Sequence, residues 1–345
     1  MSFDPNAAAS GDGVYGLPFT AEQARVVLVP VPFEATTSYG GGTADGPAVI
    51  LAASRQVDLF DHETGNPYEA GIAMLPEMAS VHDWNESGAA AARRFREQRD
   101  LGALQSALEE AQAFVNVQCA RLNDALHAQV RSLLQAGKIV GTVGGDHGAV
   151  FGAIAAHAAQ FPGLGILHFD AHADLRHEYE GFQWSHASIM NNVVRRCPGV
   201  ARLVQVGIRD FCAEERDLVR DSQGRIVSYY DADLAAERFA GVTWAAQCKR
   251  IVADLPRAVY VSFDIDGLDP ALCPHTGTPV PGGQSFQEAS YLLGEVARSG
   301  RRIVGFDLVE VAPDPAGGEW DANVGARLLY KLIGWTLRSQ TAGAP

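Results

Sequence analysis

The sequence is poor in the features that mark several large classes of protein. Its 345 residues include only five cysteines, and Cys119, Cys197, Cys212, Cys248 and Cys273 form no CxxC pair. That spacing offers neither a zinc-ribbon site nor a disulfide framework, so free thiols are expected. A chain of ~300 residues buries about 75% of its unfolded surface and needs no such staple. Positive charge is short as well: 27 Lys+Arg against 41 Asp+Glu leave a formal net charge of −14. Nucleic acid and anionic membrane surfaces are therefore poor matches as main partners. No apolar run approaches the ~18 residues of a membrane span. The opening MSFDPNAAASGDG has neither the basic nor the apolar region of a secretory signal. A cytoplasmic protein is the simplest expectation. Residues 141–148 (GTVGGDHG) lack the Gly-Lys-Ser/Thr ending of a phosphate loop. There is no GxSxG and no cysteine in a nucleophile context, which disfavours phosphoryl or acyl transfer through a side chain.

What is present is a globular α/β pattern. The 47% hydrophobic and 20% charged content argues against a disordered chain. Residues 25–32 (RVVLVPVP) form the first β-branched run and are expected to be a strand. A Gly- and Thr-rich loop over 34–46 and a helix over 47–55 follow. Residues 86–136 are rich in Ala, Leu, Glu, Gln and Arg and predict two helices, broken at Gly102. Further strands are expected over 138–143, 164–170, 201–208, 225–229, 257–264 and 301–311. Helices are expected over 149–160, 185–196, 213–221, 236–254 and 285–299, with a last one over 323–338. No linker or internal repeat divides this alternation. It predicts one domain over 21–340, behind a small polar arm over 1–20. The runs GILHFD (165–170) and AVYVSFD (258–264) are apolar almost throughout, as suits strands buried on both faces of a parallel sheet. A doubly wound sheet and a (β/α)₈ barrel both fit, and both place their sites at the carboxyl ends of strands.

Three motifs fall at such ends. Gly144-Gly145-Asp146-His147-Gly148 follows the strand KIVGTV. His168-Phe169-Asp170-Ala171-His172-Ala173-Asp174 begins inside GILHFD. Ser262-Phe263-Asp264-Ile265-Asp266-Gly267 ends AVYVSFD. Carboxylates gathered at buried strand ends repel one another and lose hydration, so they stay ionised only with cations or similar partners. Mixed Asp and His donors suit divalent ions, carboxylates favouring Mn²⁺ or Mg²⁺ and imidazole admitting Zn²⁺ or Fe²⁺. Alternate residues of an extended segment point the same way, so Asp170, His172 and Asp174 can face one point, as can Asp264 and Asp266. With His147 the set has more donors than one ion ordinarily uses. Two ions sharing bridging carboxylates, about 3.5–4 Å apart, are expected.

Together with Thr276-Gly277-Thr278-Pro279, residues 36–46 (TTSYGGGTADG) and residues 307–311 (DLVEV), these motifs resemble the ureohydrolase family, the arginases and agmatinases, over most of the chain. The resemblance implies a single three-layer α/β/α domain with a mostly parallel central sheet and two Mn²⁺ ions. By the family pattern His147 and Asp174 hold one ion, His172 and Asp266 the other, and Asp170 and Asp264 bridge both. Asp174 would also accept a hydrogen bond from the attacking hydroxide. Glu310 would pair with the substrate guanidinium, a task suited to a carboxylate taking two parallel N–H bonds. His186 would pass a proton to the leaving amine. Asp146 and Asp269 are expected to shape loops around the site, and His168 to pack beside it. His275 stands where the family usually has glycine. A trimer or hexamer is implied in the same way.

Residues 175–185 (LRHEYEGFQWS) lack the Ser-Gly-Asn-like run with which arginases hold an α-carboxylate. The form LRxEYxG before Ser185-His186 is more like prokaryotic agmatinases. The expected substrate is a small cationic guanidino compound, agmatine first, cleaved to putrescine and urea. Glu178, Glu180, Tyr179 and Trp184 are candidates to receive its far ammonium, by charge pairing or cation–π contact. Arg176, if it faces the pocket, favours a carboxylate-bearing substrate such as guanidinobutyrate; guanidinopropionate, arginine and guanidine are further alternatives. A deacetylase-like amidohydrolase would use one Zn²⁺ with fewer ligands. A catalytically silent homologue would keep the donors without the activity.

Overall fold

The computed structural model of the chain describes residues 3–9 and 11–341. The chain begins β1 (Val26–Val31), α1 (Gly46–Ser54), β2 (Ile72–Met74), α2 (Ala79–Asp100), α3 (Gln105–Gln135) and β3 (Ile139–Gly144). It continues α4 (Phe151–Gln160), β4 (Leu164–Phe169), α5 (Ile189–Arg196), β5 (Val200–Ile208), α6 (Ala213–Asp221) and β6 (Ile226–Tyr230). It ends α7 (Asp231–Phe239), α8 (Trp244–Ala253), β7 (Ala258–Asp264), α9 (Phe286–Arg298), β8 (Arg302–Val309) and α10 (Trp320–Thr341). The eight strands form one sheet in the order β2-β1-β3-β8-β7-β4-β5-β6, and all pair in parallel. β2 and β6 are its two open edges, which excludes the barrel.

Helices cover both faces, because the strands are apolar on both. Val259, Val261 and Phe263 of β7 join a core shared with α1, α8, α9 and α10. Tyr260, between them, joins a core shared with α4 and α5 on the other side. This alternation with both faces buried makes the molecule a three-layer α/β/α domain. Each large side chain so buried contributes roughly 1.5–3 kcal/mol, and all five cysteines are free. No described helix is long and apolar enough to cross a membrane.

The differences from expectation have local causes. β2 is three residues long, directly after Gly71 at φ 75°, too short for a periodic signal. The helix expected over 236–254 is two, α7 and α8. Gly241 at φ 93° breaks it, and the Thr243 side chain accepts from Ala246 N to start α8. The arm expected over 1–20 is tied down at its end. Val14, Tyr15 and Leu17 are buried in the core with α1 and α10. The Tyr15 hydroxyl donates to Ala326 O at 3.0 Å, and its amide to Ser54 Oγ at 2.9 Å. A polar, Gly-rich composition hid so short an anchor.

Because all strands run one way, their carboxyl ends share one edge. The five adjacent strands β1, β3, β8, β7 and β4 deliver the loops that carry every motif named above. Connections diverge there, leaving the crevice in which open α/β sheets bind ligands.

Candidate active site

Two glycines let these strand ends converge. A Cβ on Gly145 would clash with the Phe33 carbonyl beyond β1, so only glycine lets the chain pass and turn into His147. Gly145 O accepts from Glu310 N at 2.8 Å, which ties the end of β8 to the same turn. A Cβ on Gly267 would stand 2.7 Å from Asp170 N, so glycine also brings the ends of β7 and β4 together.

The metal-type donors then fall into two groups. His147 Nδ1 lies 3.0 Å from Asp170 Oδ2, 3.2 Å from Asp174 Oδ2 and 3.4 Å from Asp264 Oδ2. His172 Nδ1 lies 3.0 Å from Asp266 Oδ2 and 3.4 Å from Asp170 Oδ1. His147, His168, Asp170 and Asp174 form one set able to hold an ion; Asp170, His172 and Asp266 form the other. Asp170 belongs to both. The segment does not stay extended as its spacing suggested. Asp174 takes φ 54°, a left-handed turn that brings it beside His147, so His172 and Asp174 face different groups.

Partners outside the two groups aim the donors. Ser262 donates to Asp307 Oδ1 at 2.9 Å, so its Oγ accepts from His147 Nε2 at 2.9 Å. That keeps a proton on Nε2 and points Nδ1 at the carboxylates. Burial opposes a second proton, but hydrogen bonds to Asp170, Asp174 and Asp264 raise the ring, so Nδ1 donates to them until an ion claims its lone pair. Gln205 Nε2 donates to His168 Nδ1 at 3.0 Å, so His168 Nε2 donates to Asp170 Oδ2 at 2.8 Å. His168 therefore steadies Asp170 instead of offering a lone pair. Asp264 Oδ1 accepts from Asp266 N at 2.8 Å, and Asp266 Oδ1 from Ala171 N at 2.9 Å.

The electrostatics describe a site short of positive charge. Burial, then the Asp170 charge, push Asp174 up to about 7. Burial, then Asp266 and Asp170, hold Asp264 well above the usual carboxylate range. Burial opposes the charge on His172, yet Asp266 and Asp170 lift it to about 12. Divalent ions among these donors would displace the protons that the crowded acids and imidazoles now hold. The residues present fit Mn²⁺ or a similar ion in both groups.

His172, Asp174 and His186 line a cleft of about 170 Å³, together with Arg176, Tyr179, Asp210 and Glu215. His186 N donates to Thr36 Oγ1 at 3.2 Å, and its Nδ1 lies 3.5 Å from that same oxygen. Thr36 in turn donates to Asp146 Oδ2 at 3.1 Å. Desolvation, then the charge on His172, push His186 down to about 4, so its ring is neutral near pH 7. Glu310 is not part of the cleft lining. It sits against His147, whose amide donates to its Oε1 at 2.8 Å, and it holds φ 63°. Burial, then the Asp146 charge, hold its carboxyl well above the usual range.

Three candidates for the far end of the substrate are placed elsewhere. The Trp184 ring packs on Phe151 at 4.8 Å and under Arg196 at 4.7 Å, outside the cleft lining. Its apolar face is spent on packing. Glu178 is exposed and does not line the cleft either. Glu180 is held by Arg96 Nε at 2.6 Å and Arg99 Nη1 at 2.8 Å, which fastens this loop to α2. Tyr179 and Arg176 do line the cleft. The residues missed from sequence are Thr36, Ser262, Asp307, Asp210 and Glu215. Ser262 had a signal, since it shares a strand face with Asp264 two residues on. Asp210 and Glu215, just beyond β5, had none.

Known proteins are similar to this chain in sequence and fold. The Arginase family model matches residues 24–334. The N(1)-aminopropylagmatine ureohydrolase of Thermus thermophilus is 34% identical over 315 residues, 91% of this chain and 90% of that protein. The agmatinase of Bacillus subtilis is 30% identical over 319 residues, 90% of this chain and 92% of that protein. Among solved structures, a hypothetical agmatinase from Burkholderia thailandensis superposes with a TM-score of 0.73 at 25% identity, covering 99% of this chain and 94% of that one.

Proposed function

The chain belongs to the arginase family of metal-dependent ureohydrolases, and from that premise we propose that it hydrolyses agmatine or an amine-extended agmatine to urea with two Mn²⁺ ions. The observation that carries the reading is Asp170, shared by two adjacent His–Asp groups at one end of the cleft-bearing sheet. Bound in those groups, Mn²⁺ supplies Lewis acidity and an activated water for attack on a guanidinium carbon. Everything else falls to the chain. Glu310, buried beside His147, accepts guanidinium N–H bonds and orients the carbon. Asp174, held beside His147, accepts a hydrogen bond from the attacking water. His186, neutral and anchored on Thr36, can take up the proton released by the attacking water and pass it to the leaving amine.

The cleft wall supports a cationic far end. Asp210 is exposed there, and among the described residues its carboxylate has no hydrogen-bond or ion-pair partner. Arg176 is offset by Glu215 Oε2 at 3.9 Å from its Nε, and it lies 5.3 Å over the Tyr179 ring. The balance of two carboxylates to one guanidinium favours an ammonium over a carboxylate. Asp210 therefore takes the role in our reading that Glu178 and Trp184 had from sequence. On the family resemblance we extend the reading to a cytoplasmic trimer or hexamer.

Steady-state urea release separates the substrates. Agmatine or N(1)-aminopropylagmatine is expected to exceed arginine and guanidinobutyrate by at least ~10-fold in kcat/KM, about 1.4 kcal/mol. A preference for guanidinobutyrate would overturn the cationic reading and make Arg176 the selecting residue.

A further inference from the structure

His275 belongs neither to the two donor groups nor to the cleft lining. It sits in the loop after β7, and its ring lies between two carboxylates. Nδ1 is 2.9 Å from Asp321 Oδ2, and Nε2 is 3.3 Å from Asp314 Oδ1. Its backbone N donates to Asp321 Oδ1 at 2.9 Å. Asp321 is buried in the first turn of α10. Asp314 lies in the segment joining β8 to α10, where it accepts from Ala316 N at 2.7 Å and Gly318 N at 3.2 Å. One imidazole thus stitches together the loop after β7, the loop after β8 and the start of α10.

The residues that follow His275 form a wall against Glu310. The buried Thr276 hydroxyl donates to Glu310 O at 2.8 Å. Gly277 is next, and a Cβ there would already stand 3.5 Å from Glu310 Oε2. The other side of Gly277 is closed by Gly40, where a Cβ would meet Gly277 O at 2.7 Å. Glu310 itself occupies φ 63°. A non-glycine residue in that region is strained by about 1–3 kcal/mol and persists only where its surroundings hold it. Its holders are the bonds from Thr276 to its carbonyl, from its amide to Gly145 O and from the His147 amide to its carboxylate.

We propose that His275 is a positioning residue for guanidinium recognition: bridging Asp314 and Asp321, it presses the Thr276–Gly277 wall onto Glu310 and fixes the direction of that carboxylate. The inference rests on Glu310 as the guanidinium partner. It also makes substrate affinity dependent on pH. The charged groups facing the ring are Asp321 from α10 and Asp314 from the preceding segment. A hydrogen bond from Asp321 raises the pKa of His275, burial opposes it, and the two carboxylate charges add to the rise. A raised histidine stabilises the clasp fully below the ordinary imidazole value of about 6.5. That stabilisation is lost as the pH climbs through the raised value, so KM climbs on the alkaline side.

The test is kcat and KM for agmatine, or for N(1)-aminopropylagmatine if that is cleaved faster, between pH 6 and 9. It compares the manganese-loaded wild type with His275→Gln, His275→Ala and Glu310→Gln. His275→Ala should raise KM about 10-fold, the scale of a lost outer partner, with a smaller change in kcat and with bound metal unchanged. His275→Gln keeps a neutral hydrogen bond, should fold as wild type, and should show a KM that no longer depends on alkaline pH. Wild-type KM values and wild-type pH dependence in both His275 variants would overturn the clasp. If Glu310→Gln also leaves KM unchanged, the guanidinium reading falls and the clasp falls with it. If only Glu310→Gln raises KM, the clasp alone is wrong.

Discussion

Asp170→Asn is expected to end urea release and to leave the chain unable to retain metal. Asp170 Oδ2 faces His147 while Oδ1 faces His172, so one substitution removes negative charge from both donor groups at once. The amide also presents an N–H₂ where the native side chain only accepts. Three donors now converge on this carboxylate: the rings of His147 and His168, and the His172 amide at 2.5 Å. The loss in activity should exceed the roughly 10–100-fold that follows removal of an outer partner of a metal ligand. Elemental analysis of bound manganese and urea release under saturating Mn²⁺ check this together. Wild-type turnover in the metal-replete variant would show that Asp170 is not the shared residue.

Glu310→Gln should separate substrate recognition from metal binding. Glutamine keeps the shape and the oxygen that accepts from the His147 amide, so the end of β8 should keep its path. What it loses is the charge that a guanidinium pairs with. Hydrogen bonds to charged groups contribute about 1.5–3 kcal/mol, so kcat/KM should fall roughly 10–150-fold. Bound manganese should not change. Thermal stability should hold or rise, because burial and the nearby Asp146 already penalise the ionised form of Glu310. Steady-state kinetics beside metal analysis checks it. Loss of metal in Glu310→Gln would make Glu310 part of the metal site, and unchanged kcat/KM would remove it from recognition.

The clustering of donors was legible in the sequence because it depends on period and position. Apolar strands ending in Asp or His, in a parallel sheet, must place those groups on one edge, and Asp170, Asp264 and His147 stand there. Their division between two groups was not legible from spacing alone. It turns on the left-handed φ of Asp174, a backbone state that a non-glycine residue does not announce. The lining of the cleft was not legible for a related reason. Trp184 and Glu180 carry the right chemistry, but Arg196, Arg96 and Arg99 reach them from other elements and use it up. Asp210 carries the same chemistry without such partners, and only the pairing of β4 with β5 brings it beside His172. The open sheet against a closed barrel was likewise a question of strand order, which no single strand encodes.

The central claim is that two groups sharing Asp170 hold two ions that act together on a guanidino substrate. Metal-stripped protein titrated with Mn²⁺ while urea release from agmatine and N(1)-aminopropylagmatine is followed tests it most directly. Urea formation should stay low at first and reach its plateau at about two equivalents per chain, as a two-metal site requires. A plateau at one equivalent, or no urea from either compound at any loading, would contradict it.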